Sequence, residues 1–204
     1  MTFEWDESLR AFGDAGDTFV RLAAAVAGRW DQPGLGEWDV RALVGHTTRS
    51  FLTVETYLGR PAPAVEVDTP AAYFRAARSV ASGPEVTERG REAGRALGAD
   101  PAAEVSRTRA RVGALVASRD GDELVTTVVG GMRLRDYLPT RTFELTVHAA
   151  DLAAALHEPA VPAPSAARQA LRIVEDLAVL DGRAGPLLLA ATGRTVLPPG
   201  FTVL

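Results

Sequence analysis

The sequence has 204 residues, of which 47% are hydrophobic and 24% are charged, and this composition is typical of a globular domain. Its 22 Lys+Arg against 26 Asp+Glu give a formal net charge of −4, which argues against a general nucleic-acid-binding protein. The absence of cysteine excludes disulfides, cysteine-ligated metals and thiol nucleophiles from the chain itself.

The N-terminus has no basic segment followed by an apolar one, so we identify no signal peptide. No apolar run approaches the roughly 18 residues of a membrane span. The sequence therefore predicts a cytoplasmic protein that does not associate with a membrane.

Apolar residues at three- and four-residue spacing predict helices along the first half of the chain. The first amphipathic helix carries its stripe from Leu9 to Val26. The second begins after Asp39, a plausible N-cap, and ends at Gly59. Shorter helices are predicted around residues 71–80 and 102–117.

The second half begins with residues 123–129, which are rich in β-branched side chains and predict either a short strand or an extended connection. A long helix is predicted from Leu134 to Leu156, with a leucine stripe. Another runs from Ser165 to about Leu180, and the residues expected to face inward are Ala167, Leu171, Val174 and Leu177. Residues 197–204 are not expected to be helical.

This pattern predicts a mainly α fold, an up-and-down four-helix bundle. Two proline-rich segments, residues 59–70 and 158–165, read as connections. The two shorter helices are expected inside a long connection between core helices 2 and 3. Residues 1–157 would form the bundle, and residues 158–204 a short C-terminal α(+β) extension packed on it.

Three side chains from two predicted helices form a candidate metal site. Glu144 precedes His148 by four residues, so both lie on one face of the long helix, one turn apart. His46 on the second helix would supply a third ligand. Two imidazoles, a carboxylate and an open water position suit catalytic Zn²⁺, and also Fe²⁺ or Ni²⁺. A helical Glu–His pair is also common as a plain surface pair, and the spacing alone leaves both readings open.

Two segments resemble a known family. WDVRALVGHT and MRLRDYLPTRTFELTVHAADLA are similar to motifs of the mycothiol-dependent maleylpyruvate isomerase family, part of the DinB/YfiT-like superfamily of metal-binding four-helix bundles. The resemblance implies a DinB-like bundle holding a divalent metal, usually zinc. It also implies mycothiol, the low-molecular-weight thiol of actinobacteria, as a co-substrate.

Carried over residue by residue, the resemblance implies that His46, Glu144 and His148 are the metal ligands. The family's Asp matches Asp151, which would orient a metal-bound water or partner an imidazole. Its Arg matches Arg141, whose angle falls inside the apolar stripe. A buried arginine must be paired, and we favour a structural salt bridge to Glu144 or Asp151 over substrate binding.

The family isomerases have a larger C-terminal domain that contributes an arginine to the substrate site, whereas the chain after the second connection is short here. Arg183 and Arg194 are the candidates for that role, in binding the thiol co-substrate or the substrate. Phe143 and Val147 project away from the leucine stripe, so either the C-terminal helix and tail or a second subunit would cover them. Homodimerisation is therefore a hypothesis.

Three functions follow from these residues. The first is a metal-dependent transferase or isomerase in which the metal activates mycothiol. The second is a hydrolase that uses metal-bound water, with Glu144 or Asp151 as base. The third is a non-catalytic, metal-stabilised bundle that binds a small molecule or a partner.

Overall fold

The computed structural model describes residues 3–78 and 84–204, and these residues are mainly helical. They form eight helices and two short antiparallel hairpins. In chain order these are α1 (Trp5–Ala25), β1 (Pro33–Leu35), β2 (Trp38–Asp39), α2 (Val40–Leu58), α3 (Pro70–Ala77), α4 (Pro84–Ala96), α5 (Pro101–Ala117), β3 (Leu124–Thr127), β4 (Gly130–Arg133), α6 (Leu134–Ala155), α7 (Pro164–Leu180) and α8 (Ala184–Ala191).

Four helices surround the core. Each of α1 and α2 packs against both α5 and α6, so these four close a ring around one set of buried side chains. Phe51 of α2 lies at its centre, with its ring 5.6 Å from that of Phe12 and 6.3 Å from that of Phe19, both on α1. The predicted leucine stripe of α6 is buried along its whole length. The mainly α, DinB-like bundle predicted from the sequence is confirmed.

The position of α5 corrects one detail of the prediction. We expected residues 102–117 inside the long connection, but α5 is itself the third core helix. It buries Val105, Thr108, Val112 and Val116 against α1 and α2. These inward side chains are small and β-branched and are surrounded by arginines, which weakens the apolar signal of a core helix. The long connection therefore joins α2 to α5, and it contains α3 and α4.

The ends of α2 agree with the sequence. The side chain of Asp39 accepts a hydrogen bond from the backbone N–H of Ala42 at 2.7 Å, and Gly59 caps the C-terminus. An N-cap of this kind satisfies one of the free N–H groups of the first turn. The start of α2, and with it the height of His46 in the bundle, is fixed by this cap.

Helix α7 lies outside the ring of four, against α1 and α6. Of its predicted inward residues, Leu177 is buried and Val174 packs against the core, but Leu171 faces outward. The buried face carries Ala166, Ala170, Ile173 and Leu177, whereas Leu171 is 66% exposed. Both stripes of α7 are apolar, so hydrophobicity alone does not distinguish them. The small alanines allow α7 to lie close to its neighbours, and this decides the orientation.

The remaining elements surround the bundle. Residues 123–129 do contain a strand, since β3 pairs antiparallel with β4. The predicted end of the third helix at Val80 lies outside the described residues, and α3 ends at Ala77. Helix α3 contacts Phe143, whose ring lies 4.9 Å from that of Phe74, and α7 of the C-terminal segment also packs against α6. Homodimerisation stays a prediction.

The C-terminal segment and the apolar character of the helices complete the description of the fold. Residues 197–204 contain no helix, as predicted. None of the helices in residues 3–78 and 84–204 combines the length and the apolar character needed to cross a membrane.

Candidate metal centre

Helix α6 brings two of the candidate ligands together. Glu144 and His148 are separated by four residues, so one helical turn places them on the same face. The Nε2 atom of His148 lies 3.2 Å from Oε2 of Glu144. Both side chains are largely covered, with 15% of the His148 side chain and 24% of the Glu144 side chain exposed.

Helix α2 supplies the third ligand from the opposite side. The ring of His46 lies 5.0 Å from that of His148, centroid to centroid, and the two planes are nearly perpendicular at 86°. One ligand atom from each of His46, Glu144 and His148 lies within 4.8 Å of the other two. Among the described residues, this is the group of three His, Asp or Glu side chains that is close enough to hold one ion.

The spacing of these atoms fits a divalent cation. Zinc holds nitrogen and oxygen ligands at about 2.0–2.1 Å in a tetrahedron, which sets its ligand atoms about 3.3 Å apart. The Nε2–Oε2 distance of 3.2 Å already has this value. One nitrogen of the His46 ring lies within 4.8 Å of a ligand atom of each of the other two side chains. Two imidazoles and one carboxylate are a donor set that zinc accepts with a fourth position left for another ligand.

Asp151 holds the other nitrogen of His148. Its Oδ2 lies 3.0 Å from Nδ1, so a proton on Nδ1 is donated to the carboxylate and Nε2 faces Glu144. Metal-bound histidines commonly have such a carboxylate behind them, which fixes the ring and its tautomer. Burial alone would lower the pKa of His148, but the hydrogen bonds to Asp151 and Glu144 raise that pKa to about 9.

The imidazole of His46 has a lowered pKa, in contrast to that of His148. Burial, followed by the nearby charge of His148, lowers the pKa of His46 to about 4, so this ring is neutral near pH 7. Its buried Nδ1 has no hydrogen-bond partner among the described residues. A buried nitrogen without a partner costs free energy, and coordination of the ring to a cation would satisfy the imidazole. This orphaned group supports the interpretation of the cluster as a metal centre.

The carboxylate ligand is ionised at neutral pH. Burial raises the pKa of Glu144, but the hydrogen bond with His148 and the charge of Arg141 outweigh it and lower that pKa below its ordinary value. Of the three ligands, only His148 therefore carries a proton that a cation must displace near pH 7.

Trp38 stacks on His46 and was not predicted from the sequence. The two rings lie 4.5 Å apart and are tilted by 33°. The indole Nε1 donates to the backbone carbonyl of Thr87 on α4 at 2.9 Å. The indole also lies flat on Gly90, where an added Cβ would come within 2.5 Å of the ring. Trp38 therefore contacts both α4 and the candidate ligand His46.

Helix α4 itself was missing from the sequence prediction. It contacts α2 through glycine, because a Cβ on Gly45 would lie 2.1 Å from the backbone nitrogen of Gly94. Glycine is a poor helix former and gives no apolar signal, and the rest of α4 is rich in Arg and Glu. A stripe made of glycines is therefore invisible to a search for hydrophobic spacing.

A cavity of about 440 Å³ begins at His46 and Glu144. Its walls come from α2, α3, α4, α6 and the β3–β4 turn. Three arginines and three aromatic residues line it, with several small or aliphatic side chains between them. They are Arg49, Arg89, Arg141, Tyr57, Tyr73 and Phe74. Two of the three candidate ligands, His46 and Glu144, thus line a space that can admit a small molecule.

Arg141 does not form the salt bridge that we favoured from the sequence. No carboxylate of the described residues lies within ion-pair distance of its guanidinium group. The Nε atom lies 3.0 Å from the hydroxyl of Thr140, and the guanidinium carbon lies 5.2 Å and 5.0 Å from the ring centres of Tyr73 and Tyr137. Tyrosine rings can stabilise a buried cation through their faces, which replaces the carboxylate we expected.

The two C-terminal arginines are not brought to this cavity. Arg183 lies at the start of α8, and its guanidinium donates to the backbone carbonyl of Thr202. Arg194 is exposed and lies 3.4 Å from the carbonyl of Thr192. Neither residue lines the cavity beside the metal centre.

The chain is similar to a known protein family. The model of the mycothiol maleylpyruvate isomerase N-terminal domain family matches residues 9–153. The matched segment includes the three candidate ligands and most of the four-helix ring, and it ends before α7. No curated protein and no solved structure matches the chain.

Proposed function

The chain belongs to the mycothiol maleylpyruvate isomerase N-terminal domain family, and on this basis we propose that it is a metal-dependent transferase or isomerase that uses a low-molecular-weight thiol. Mycothiol is the proposed co-substrate and Zn²⁺ the proposed metal. The observation that carries the proposal is the convergence of His46, Glu144 and His148 within 4.8 Å at the end of an open cavity. A bound divalent ion supplies one thing here: it lowers the pKa of a coordinated thiol and favours the nucleophilic thiolate.

The protein's own residues would hold and orient this centre. His46, Glu144 and His148 would be the ligands, and three protein ligands leave room for one exchangeable partner. Asp151 would act as a positioning residue, because its contact with Nδ1 keeps Nε2 of His148 aimed at the cation. Trp38 would restrain the ring of His46 by stacking.

The thiol must come from outside, since the chain has no cysteine. The cavity has about 440 Å³, within the usual range for small-molecule sites. A thiol and an electrophile held side by side there would gain from proximity and orientation. The size and position of the cavity are therefore consistent with a two-substrate reaction.

The hydrolase is less well supported. It needs a free general base, and the sequence offered Glu144 and Asp151 for that role. Glu144 is one of the three proposed ligands, and Asp151 is engaged with His148. A base that is already committed to orienting a ligand is poorly placed to take a proton from water.

A thiol-dependence assay tests the proposal. Zinc-reconstituted protein is mixed with mycothiol and a bimane electrophile, and loss of free thiol is followed against the reaction without protein. We expect thiol consumption to accelerate with wild-type protein and to return to the background rate with His148→Ala. His157→Ala is the matched control, because His157 is exposed and lies outside the cluster, and it should keep the wild-type rate.

Two other outcomes of this assay would each favour a different function. Turnover of an ester or amide substrate without any thiol would favour the hydrolase. A zinc-loaded protein that is inert with and without thiol would favour a non-catalytic binding module. Either result contradicts the proposed function.

A further inference from the structure

The guanidinium group of Arg141 has donors that the rest of the protein does not use. Arg141 is only 9% exposed, and its Nε is engaged with Thr140. The two terminal nitrogens have no hydrogen-bond or ion-pair partner among the described residues. Arg141 nevertheless lines the cavity beside Glu144. A buried, always charged group with two parallel donors facing a cavity is a strong site for an anion.

The orientation of this group is fixed before any ligand arrives. The guanidinium carbon lies over the rings of Tyr73 and Tyr137, 5.2 Å and 5.0 Å from their centres, and the two rings also contact each other with their centres 5.8 Å apart. Tyr137 is fully buried and Tyr73 is 6% exposed. Because the flanking rings cannot move far, Arg141 loses little conformational entropy when it binds a ligand, and such preorganisation increases affinity.

The charge around the cavity favours the same class of ligand. Arg49 lines the cavity one turn beyond His46 on α2 and forms no ion pair with the described residues. Arg89, also a lining residue, forms an ion pair within the described residues with the exposed carboxylate of Glu85 alone, at 3.8 Å. Glu144 is the acidic residue among the described lining residues, and it is assigned to the metal. The excess of positive charge would attract an anion.

Most of the other described lining residues are apolar or aromatic, and Ser50 and Thr53 add two hydroxyl groups. The rings of Tyr57, Tyr73 and Phe74 line the cavity, together with the aliphatic side chains of Val86 and Val128. Such walls stabilise a flat hydrocarbon body by burial of its surface and by ring contacts. A small polar diacid would leave these surfaces without a partner.

We propose that the cavity binds an aromatic carboxylate, whose two oxygens accept hydrogen bonds from the terminal nitrogens of Arg141 while its ring lies against Tyr57, Tyr73 and Phe74. Arg49 and Arg89 contribute to the attraction of the anion. This inference rests on the proposed function, because it takes the bound acid to be the class of the electrophilic substrate. The inference also places the arginine that binds the carboxylate, Arg141, inside the bundle. Binding of the carboxylate then requires no arginine from a C-terminal domain.

Calorimetry with benzoate on the zinc-loaded protein tests the inference. We expect benzoate to bind at least tenfold more tightly than benzamide, which has the same shape without the charge. Benzoate should also bind at least tenfold more tightly than acetate, which lacks the ring. Arg141→Gln should weaken benzoate binding at least tenfold. Arg111→Gln is the matched control, because it removes the same charge from an exposed pair with Glu55 and should leave binding unchanged.

Two further measurements keep the test decisive. The comparison of benzoate with benzamide uses the wild-type chain, so it stands even if Arg141→Gln fails to fold. Zinc content is measured on every sample, because a carboxylate can also bind a metal directly. Benzoate affinity that is equal to that of benzamide, or that is unchanged in folded, zinc-loaded Arg141→Gln, would overturn the proposal. Loss of benzoate binding in Arg141→Gln supports it even if the thiol assay fails.

Discussion

His148 is the side chain of the centre whose protonation matters most. Its two nitrogens face the carboxylates of Glu144 and Asp151, and these hydrogen bonds raise its pKa to about 9 although burial opposes the charge. His46 is neutral above about pH 4, and Glu144 is ionised at neutral pH. In the metal-free protein, His148 therefore carries the one proton that a cation must displace from these three side chains over most of the neutral range.

The first prediction concerns the pH dependence of metal binding. A ligand must lose its proton before it binds a cation, so zinc must displace the proton on Nε2 of His148. We expect about one proton released per zinc at neutral pH, and an apparent association constant that rises about tenfold per pH unit up to about pH 9. Calorimetry in two buffers with different ionisation enthalpies measures the released protons directly. Release of no proton, or of two, would contradict the assignment.

The second prediction concerns Asp151. Replacement by Asn keeps the shape but weakens the contact with Nδ1, so the ring of His148 is oriented less firmly. We expect Asp151→Asn to lower zinc affinity about 10- to 100-fold, the usual effect of removing a partner behind a metal ligand. A competition titration with a chromophoric chelator gives the two affinities. Asp31→Asn, at an exposed aspartate, is the control and should bind zinc like the wild type.

At the residue scale, the convergence of the three candidate ligands could be predicted from the sequence, whereas the residues around them could not. His46, Glu144 and His148 follow from helical spacing together with the family motifs, because a helix fixes the direction of side chains four residues apart. Trp38 and Tyr73 come from a hairpin and a short helix whose positions depend on tertiary packing. The pairing of Arg141 was predicted wrongly, because sequence shows that a buried charge needs partners but not that tyrosine rings supply them.

At the scale of elements, α4 packs against α2 and against Trp38, whose indole contacts the candidate ligand His46. Gly94 of α4 contacts Gly45 of α2, and Gly90 of α4 contacts the indole of Trp38. These contacts bring two helix backbones closer than any side chain would permit. The ring of His46 is therefore restrained by an element that contributes no ligand.

The third prediction tests this contact. Gly45→Ala adds a Cβ that would lie 2.1 Å from the backbone nitrogen of Gly94, which cannot rotate away. Alanine gains about 1 kcal/mol of helix propensity over glycine, but overpacking against backbone costs about 1–3 kcal/mol. We expect a net loss in the free energy of unfolding measured with urea, together with weaker zinc binding because α4 and Trp38 shift.

The matched control is Gly185→Ala. Gly185 lies in α8 with no atom within 4 Å of the position of an added Cβ. It should be neutral or stabilising by up to about 1 kcal/mol. A Gly45→Ala protein as stable as the wild type, with unchanged zinc affinity, would show that the close contact of α2 and α4 is unimportant.

Helices with large apolar stripes were predicted well, and those that pack through small residues were not. The bounds of α2 and α6 follow from a cap, a terminal glycine and a leucine stripe. Helix α5 was assigned to a connection because its inward residues are valines and a threonine. Leu171 of α7 was wrongly assigned to the inward face, because the contact face contains Ala166 and Ala170 beside Ile173 and Leu177. A hydrophobicity scale measures the free energy of transferring a side chain from water, whereas the packing of α5 and α7 also depends on small side chains that let the helices approach closely.

At the scale of the whole molecule, the ring of four helices places two ligand-bearing helices side by side. Helices α2 and α6 are in contact, and each presents its ligand face at the edge of the core. The long connection then returns over this edge as α3 and α4 and supplies the far walls of the cavity. Composition and periodicity predict such a bundle, but the path of the connection depends on contacts distant in sequence.

Elemental analysis of the purified protein tests the central claim most directly. After reconstitution with zinc and removal of excess metal, we expect about one divalent ion per chain in the wild type, since three ligands define one site. His46→Ala and His148→Ala should each lose the ion while keeping a helical circular dichroism spectrum, and His157→Ala should retain it. A wild-type protein that holds no divalent ion at a near-stoichiometric level, or variants that hold it as well as the wild type, would contradict the account.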